Sequence, residues 1–158
     1  MSELPTALAG IVDDFQSVTE PDRLQLLLEF AQGLPALPPR YADHPDLLEP
    51  VPECQSPVFL TVEVGDEQVP SGPGAPVAVF LTAPQQAPTT RGFAGILSEG
   101  LAGLTAAEVV AVPDDVAHRL GLDRAVSPLR LRGMSGMLGR IKRQVRERAG
   151  LDRPACST

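Results

Sequence analysis

Six prolines fall between residues 34 and 52: Pro35, Pro38, Pro39, Pro45, Pro50 and Pro52. Proline fixes φ and lacks an N–H, so this density is incompatible with a helix interior or the centre of a sheet. The stretch therefore reads as a loop. It separates a leading part, patterned as helices, from a longer trailing part. Ordered loops of this length are usually functional.

Ahead of the loop, Leu4, Leu8, Ile11, Val12 and Phe15 recur at helical spacing, which predicts an amphipathic helix over 5–17. Thr19, Glu20, Pro21 and Asp22 form a start signal: a hydroxyl cap, an acid three residues on, and Pro in the first turn. Leu24, Leu27, Leu28 and Ala31 line one face of that second helix, and Gly33 stops it.

Behind the loop, Val58, Leu60, Val62 and Val64 alternate with other residues, giving a strand over 58–64. A second strand over 76–81 is expected antiparallel to it, and whether the flanking loops add a third is left open. Helices follow over 90–101, from the capping box Thr105–Glu108 through Val110, from Pro113 to Gly121, and over 133–149. The last has Met134, Met137, Leu138, Ile141 and Val145 as its apolar stripe and arginines on its other face. Two helices, a small antiparallel sheet and several further helices make an α+β, two-layer fold.

The chain has 158 residues, which fits one domain over 1–150 with a flexible tail over 151–158. Aromatics are only 4%, so aliphatic side chains must fill the core. No run of about 18 apolar residues calls for a membrane span, and the N-terminus lacks a secretory pattern. With just two cysteines, a reducing cytoplasm is the expected compartment. The net charge of -7 disfavours nucleic-acid binding. Yet residues 124–158 hold nine basic side chains against Glu147 and Asp152. This split fits either pairing of two copies as a homodimer or a docking face for an acidic partner.

Cys54 lies between the proline-rich loop and the first strand, in Val51-Pro52-Glu53-Cys54-Gln55-Ser56-Pro57-Val58. Flanking prolines restrain the backbone and can hold a thiol in a defined place. A small buried hydrophobe is the competing reading of a free Cys. Glu49 and Glu53 are its charged neighbours in sequence, and carboxylates suppress a thiolate. A self-activated cysteine hydrolase is thus disfavoured, whereas a thiol activated inside a partner's site tolerates such surroundings.

Cys54-Gln55-Ser56 followed by a hydrophobic strand resembles the SufE family of sulfur acceptors. Arg91-Gly92-Phe93 at the opening of an apolar helix is similar to the family's basic-Gly-hydrophobic start. Ser127-Pro128-Leu129-Arg130 with Gly133-Met134 resembles its signature before the last helix. The resemblance covers roughly Leu4 to Arg148 and departs from the pattern at Pro57, Phe59 and Pro84-Gln85-Gln86.

The resemblance implies a two-layer α+β fold shared with iron–sulfur scaffold proteins. It also implies that Cys54 accepts persulfide sulfur from a SufS-type, PLP-dependent cysteine desulfurase, stimulates that enzyme, and passes sulfur to an iron–sulfur scaffold complex. It implies no cofactor or metal on this chain. By position, Gln55 and Ser56 shape the Cys54 loop, Arg130 faces the desulfurase, and Gly133 starts the final helix.

Two other readings stand beside it. Cys54 with His118 or His44 could form a cysteine-nucleophile enzyme, or the basic C-terminal helix could serve a noncatalytic adaptor. Cys156 reads as a passive tail residue, with a resolving thiol as its alternative. His44 and His118 lack metal-ligand spacing.

Overall fold

A computed structural model of the chain describes residues 4–151. The Cys156 reading and nearly all of the expected tail lie outside the described residues. Helices α1 (Thr6–Gln16) and α2 (Glu20–Gln32) come first. The proline-rich stretch then holds α3 (Pro39–Ala42), a 3-10 turn and the strand β1 (Glu49–Pro50). Strands β2 (Phe59–Val64) and β3 (Val77–Thr82) follow, then α4 (Pro88–Gly100), α5 (Ala106–Val110), α6 (Val116–Arg119) and α7 (Pro128–Ala149). This is the α+β architecture expected from the sequence. None of the described helices is long and apolar enough to cross a membrane.

The sheet is antiparallel throughout, in the order β1-β2-β3. Val62 faces Val79 across the β2–β3 pair, and Glu49 faces Leu60 across the short β1–β2 pair. Past the Glu49–Leu60 pair the open side of β2 is closed by α7. Val62 N–H donates to Gln144 Oε1 at 3.0 Å, and Arg148 donates to the Val62 carbonyl. An unpaired strand edge is a template for aggregation; here a helix covers it with side chains.

One cluster of buried side chains joins helices and sheet. Phe15, Leu27, Leu60, Phe93, Ile96, Met134 and Met137 are among its fully buried members. Full burial of one such aliphatic or aromatic side chain is worth ~1.5–3 kcal/mol. α2 and α4 pack especially closely. A Cβ at Gly92 would lie 2.5 Å from the Leu27 carbonyl oxygen, and one at Gly95 would lie 2.2 Å from that of Phe30.

Some local expectations need correction. The final helix begins at Pro128, so Gly133 lies inside it. Ser127 is its cap, accepting from the Arg130 N–H at 3.3 Å, with Pro128 in the first turn. Pro113 opens no helix; α6 is a single turn starting at Val116. Thr19 sits at the α2 cap position, but its side chain makes no capping hydrogen bond. By contrast, Thr105 and Glu108 make both bonds of the expected capping box.

Candidate functional site

Pro52 begins a 3-10 turn over Pro52–Cys54, where a missing N–H is harmless. Cys54 N–H donates to the Val51 carbonyl at 3.1 Å, and Gln55 N–H to that of Pro52 at 3.0 Å. The chain then reverses at Gln55, which has φ 55° and is the one non-glycine residue with positive φ among the described residues. Val51 N–H donates to the Val58 carbonyl at 2.9 Å, closing the loop at its base. Val51 and Val58 are both buried, so the short segment between them is anchored at each end. Cys54 stands at its tip.

The opposite wall is α7. The Cys54 thiol donates weakly to the Gly133 carbonyl, with Sγ and O 3.6 Å apart. A Cβ at Gly133 would lie 3.2 Å from both Cα and Sγ of Cys54, and one at Gly136 would lie 2.9 Å from Glu53 Cβ. The two glycines make the shallow face on which the loop rests. Above it, Cys54, Gln55 and Ser56 on one side and Ser127, Leu129 and Arg130 on the other enclose a depression of about 330 Å³. The structure therefore brings together Cys54, Gln55, Ser56 and Arg130, with Gly133 against the thiol as a contact residue and not as the helix start.

Cys54 is half-buried. Burial pushes its thiol from 9.0 up to about 12; the Glu53 carboxylate adds to the rise, and Arg140 opposes it. At pH 7 about one thiol in 10⁵ is ionised at such a pKa. The upward direction was legible from the neighbouring acids, but burial is its larger cause.

Sequence reasoning missed the cation nearby. Arg140 donates from Nη1 to Glu49 at 2.7 Å and from Nη2 to both Glu53 carboxylate oxygens at 3.0 Å. Arg143 and Gln144 also donate to Glu49. A hydrogen bond from its own backbone N–H, and then Arg140, hold the Glu53 carboxyl below its usual range against some desolvation. For Glu49, burial acts upward but is outweighed by the bonds from Gln144, Arg143 and Arg140. A signal existed: Gly133, Gly136, Arg140, Arg143 and Gln144 fall along one face of a helix.

The basic face of α7 is thus not simply solvated. Lys142 is buried and donates to the Val112 carbonyl and Asp114, and Arg148 is bound to β2. Arg130 and Arg132, among the described residues, take part in no ion pair. Arg130 is exposed beside Leu129, whose apolar side chain is 44% exposed. Neither histidine lines the depression. His44 is exposed and the His118 ring faces Asp123 at 3.8 Å, so no Cys–His pair forms at Cys54. Among the described residues no cluster of three or more His, Cys, Asp or Glu side chains could hold a metal ion.

Known proteins resemble this chain over most of its length. An uncharacterized SufE-like protein of Mycobacterium tuberculosis is 52% identical over 146 residues, covering 92% of this chain and 96% of that one. SufE-like protein 1, chloroplastic/mitochondrial, of Arabidopsis thaliana is 30% identical over 139 residues, 87% of this chain and 34% of that larger one. The solution structure of a hypothetical protein from Thermus thermophilus superimposes with a TM-score of 0.74 at 36% identity, covering 92% of this chain and 97% of that one. The sequence profile of SufE, described as an Fe-S metabolism associated domain, matches residues 9–145, and with the half-identical relative it places this chain in the SufE family.

Proposed function

We propose that this chain is a sulfur acceptor and carrier in Fe-S metabolism, with Cys54 as the accepting group. The observation that carries the reading is the depression in which Cys54, Gln55, Ser56 and Arg130 meet, on a chain of the SufE family. The donor is a SufS-type, PLP-dependent cysteine desulfurase carrying a persulfide on its own cysteine. The Cys54 thiolate attacks the outer sulfur, the S–S bond of the donor persulfide breaks, and the donor thiolate leaves. Cys54 then holds the persulfide, which goes to an iron–sulfur scaffold complex.

Two features support this chemistry. The capped N-terminus of α7 and the Arg130 side chain face the same depression, and both favour an anion such as a persulfide. The resting thiol is protonated, so attack waits for a partner to change its surroundings. Gln55 and Ser56 shape the rim, and Arg130 with exposed Leu129 forms the contact surface for the desulfurase. The expected compartment is the cytoplasm.

The test is to incubate the protein with a desulfurase and free cysteine and then weigh it. A gain of one sulfur atom at Cys54, lost on reduction and absent from Cys54→Ala, is expected. Full desulfurase stimulation by Cys54→Ala would leave only an adaptor role.

A further inference from the structure

The segment that carries Cys54 has little backbone pairing of its own. β1 is two residues long, pairs with β2 at Glu49 and Pro50, and is followed by one more backbone bond, from Val51 N–H to the Val58 carbonyl. After it, the 3-10 turn is pressed against α7 over Gly133 and Gly136. Arg143 and Gln144 also hold Glu49, but Arg140 alone among the described residues binds both acids: its guanidinium holds Glu49 on β1 and, through two nitrogens, Glu53 beside the thiol. The left-handed backbone at Gln55 is a conformation that a non-glycine residue keeps only under constraint.

We infer that Arg140 is a positioning residue, an ionic latch that closes the Cys54 loop onto α7 and sets how often the thiol is presented. This deepens the sulfur-acceptor reading, on which its purpose rests. The latch is accessible to solvent ions and to a partner's charges, because the side chains of Arg140 and Glu53 are 26% and 37% exposed. A partner that offers Arg140 or Glu53 a competing charge opens the loop without touching the thiol.

Removal of Arg140 acts on the thiol in two opposite ways. Its charge draws the thiol pKa down, so loss of that charge alone makes the thiolate rarer and the reaction slower. Release of the loop returns the thiol to water, which lowers the pKa and exposes the sulfur, so the reaction becomes faster. The sign of the rate change separates a latch from a bystander charge.

The experiment uses the folded protein alone, with iodoacetamide, and reads modification of the Cys54 peptide by mass spectrometry. Arg140→Gln is expected to react roughly tenfold faster or more, the scale of losing a charge-assisted hydrogen-bond fork. Arg140→Lys, which keeps the charge without the fork, should fall between. The wild-type rate should rise with added salt, and the Arg140→Gln rate should not. A slower or unchanged Arg140→Gln overturns the latch. If circular dichroism shows that Arg140→Gln is unfolded, the wild-type salt series decides, and a flat series overturns the proposal. No desulfurase is present, so failure here leaves sulfur uptake at Cys54 standing, and failed uptake leaves the latch standing.

Discussion

Alanine at three glycines of α7 should give three different answers, because their surroundings differ although their helix does not. In a helix interior Gly→Ala is worth ~1 kcal/mol in favour of Ala. A Cβ at Gly139 would meet nothing within 4 Å, so Gly139→Ala should realise that gain. For a protein of this size the gain is a rise of about 2–4 °C in Tm. At Gly133 the same Cβ would lie 3.2 Å from Cys54 Cα and Sγ and 3.6 Å from the Glu53 carbonyl. Backbone atoms cannot swing aside, and overpacking costs ~1–3 kcal/mol. Gly133→Ala should therefore be neutral to about 2 kcal/mol less stable once the propensity gain is subtracted. The least costly relaxation lifts the Cys54 loop, so iodoacetamide should label Cys54 faster in this variant. At Gly136 the Cβ would lie 2.9 Å from Glu53 Cβ, which is fixed to the backbone, and 3.0 Å from its Cδ, which strains the fork to Arg140, so Gly136→Ala should be the least stable of the three. Thermal unfolding by circular dichroism and labelling rates check the series. Equal stabilisation at all three positions would refute the packing of the loop on α7.

Two further outcomes are expected. Labelling of Cys54 in the folded protein should keep rising with pH past 9 without a plateau, because burial raises the thiol to about 12. The folded state therefore binds a proton that the unfolded chain releases at about pH 9, so this contribution to stability is complete below that pH and is lost as pH rises toward 12. A labelling plateau below pH 9 contradicts a desolvated thiol. Arg130→Ala should weaken desulfurase stimulation at subsaturating protein, with stability changed by less than about 0.5 kcal/mol, since only its backbone N–H takes part in the α7 cap. Unchanged stimulation removes Arg130 from the contact surface.

Local patterns carried much of this fold. The 3.6 spacing in α1, α2 and α4, the alternation in β2, and the Thr105–Glu108 box were all read from neighbouring residues. The start of α7 was misplaced because Arg130 and Arg132 alternate with Leu129 and Leu131, which obscures helical spacing; Ser127-Pro128 was the better signal. The proline-rich loop hid β1 and α3 for another reason. Both are short enough to place proline where its missing N–H does no harm, and the Glu49–Leu60 register depends on a partner strand. The site divides in the same way. Cys54 and its acids were adjacent and visible, whereas Arg140 lies 87 positions from Glu53 and is joined to it only by the packing of α7.

That long-range ion pair changes what the acidic neighbourhood of Cys54 means. Taken from sequence, Glu49 and Glu53 look like an obstacle to a nucleophile. In the fold they are the handle by which α7 holds the loop down. At pH 7 a thiol of pKa about 12 is ionised about 10⁻⁵ of the time and one of pKa about 9 about 1% of the time, so closure withholds roughly three orders of magnitude of thiolate. The same closure shields the sulfur from oxidants and stray thiols, which act on the thiolate. A partner that frees the loop recovers the withheld reactivity by solvation alone, before it supplies any catalytic group. Under the sulfur-acceptor reading, specificity for the donor then follows from where the loop opens and needs no base on this chain.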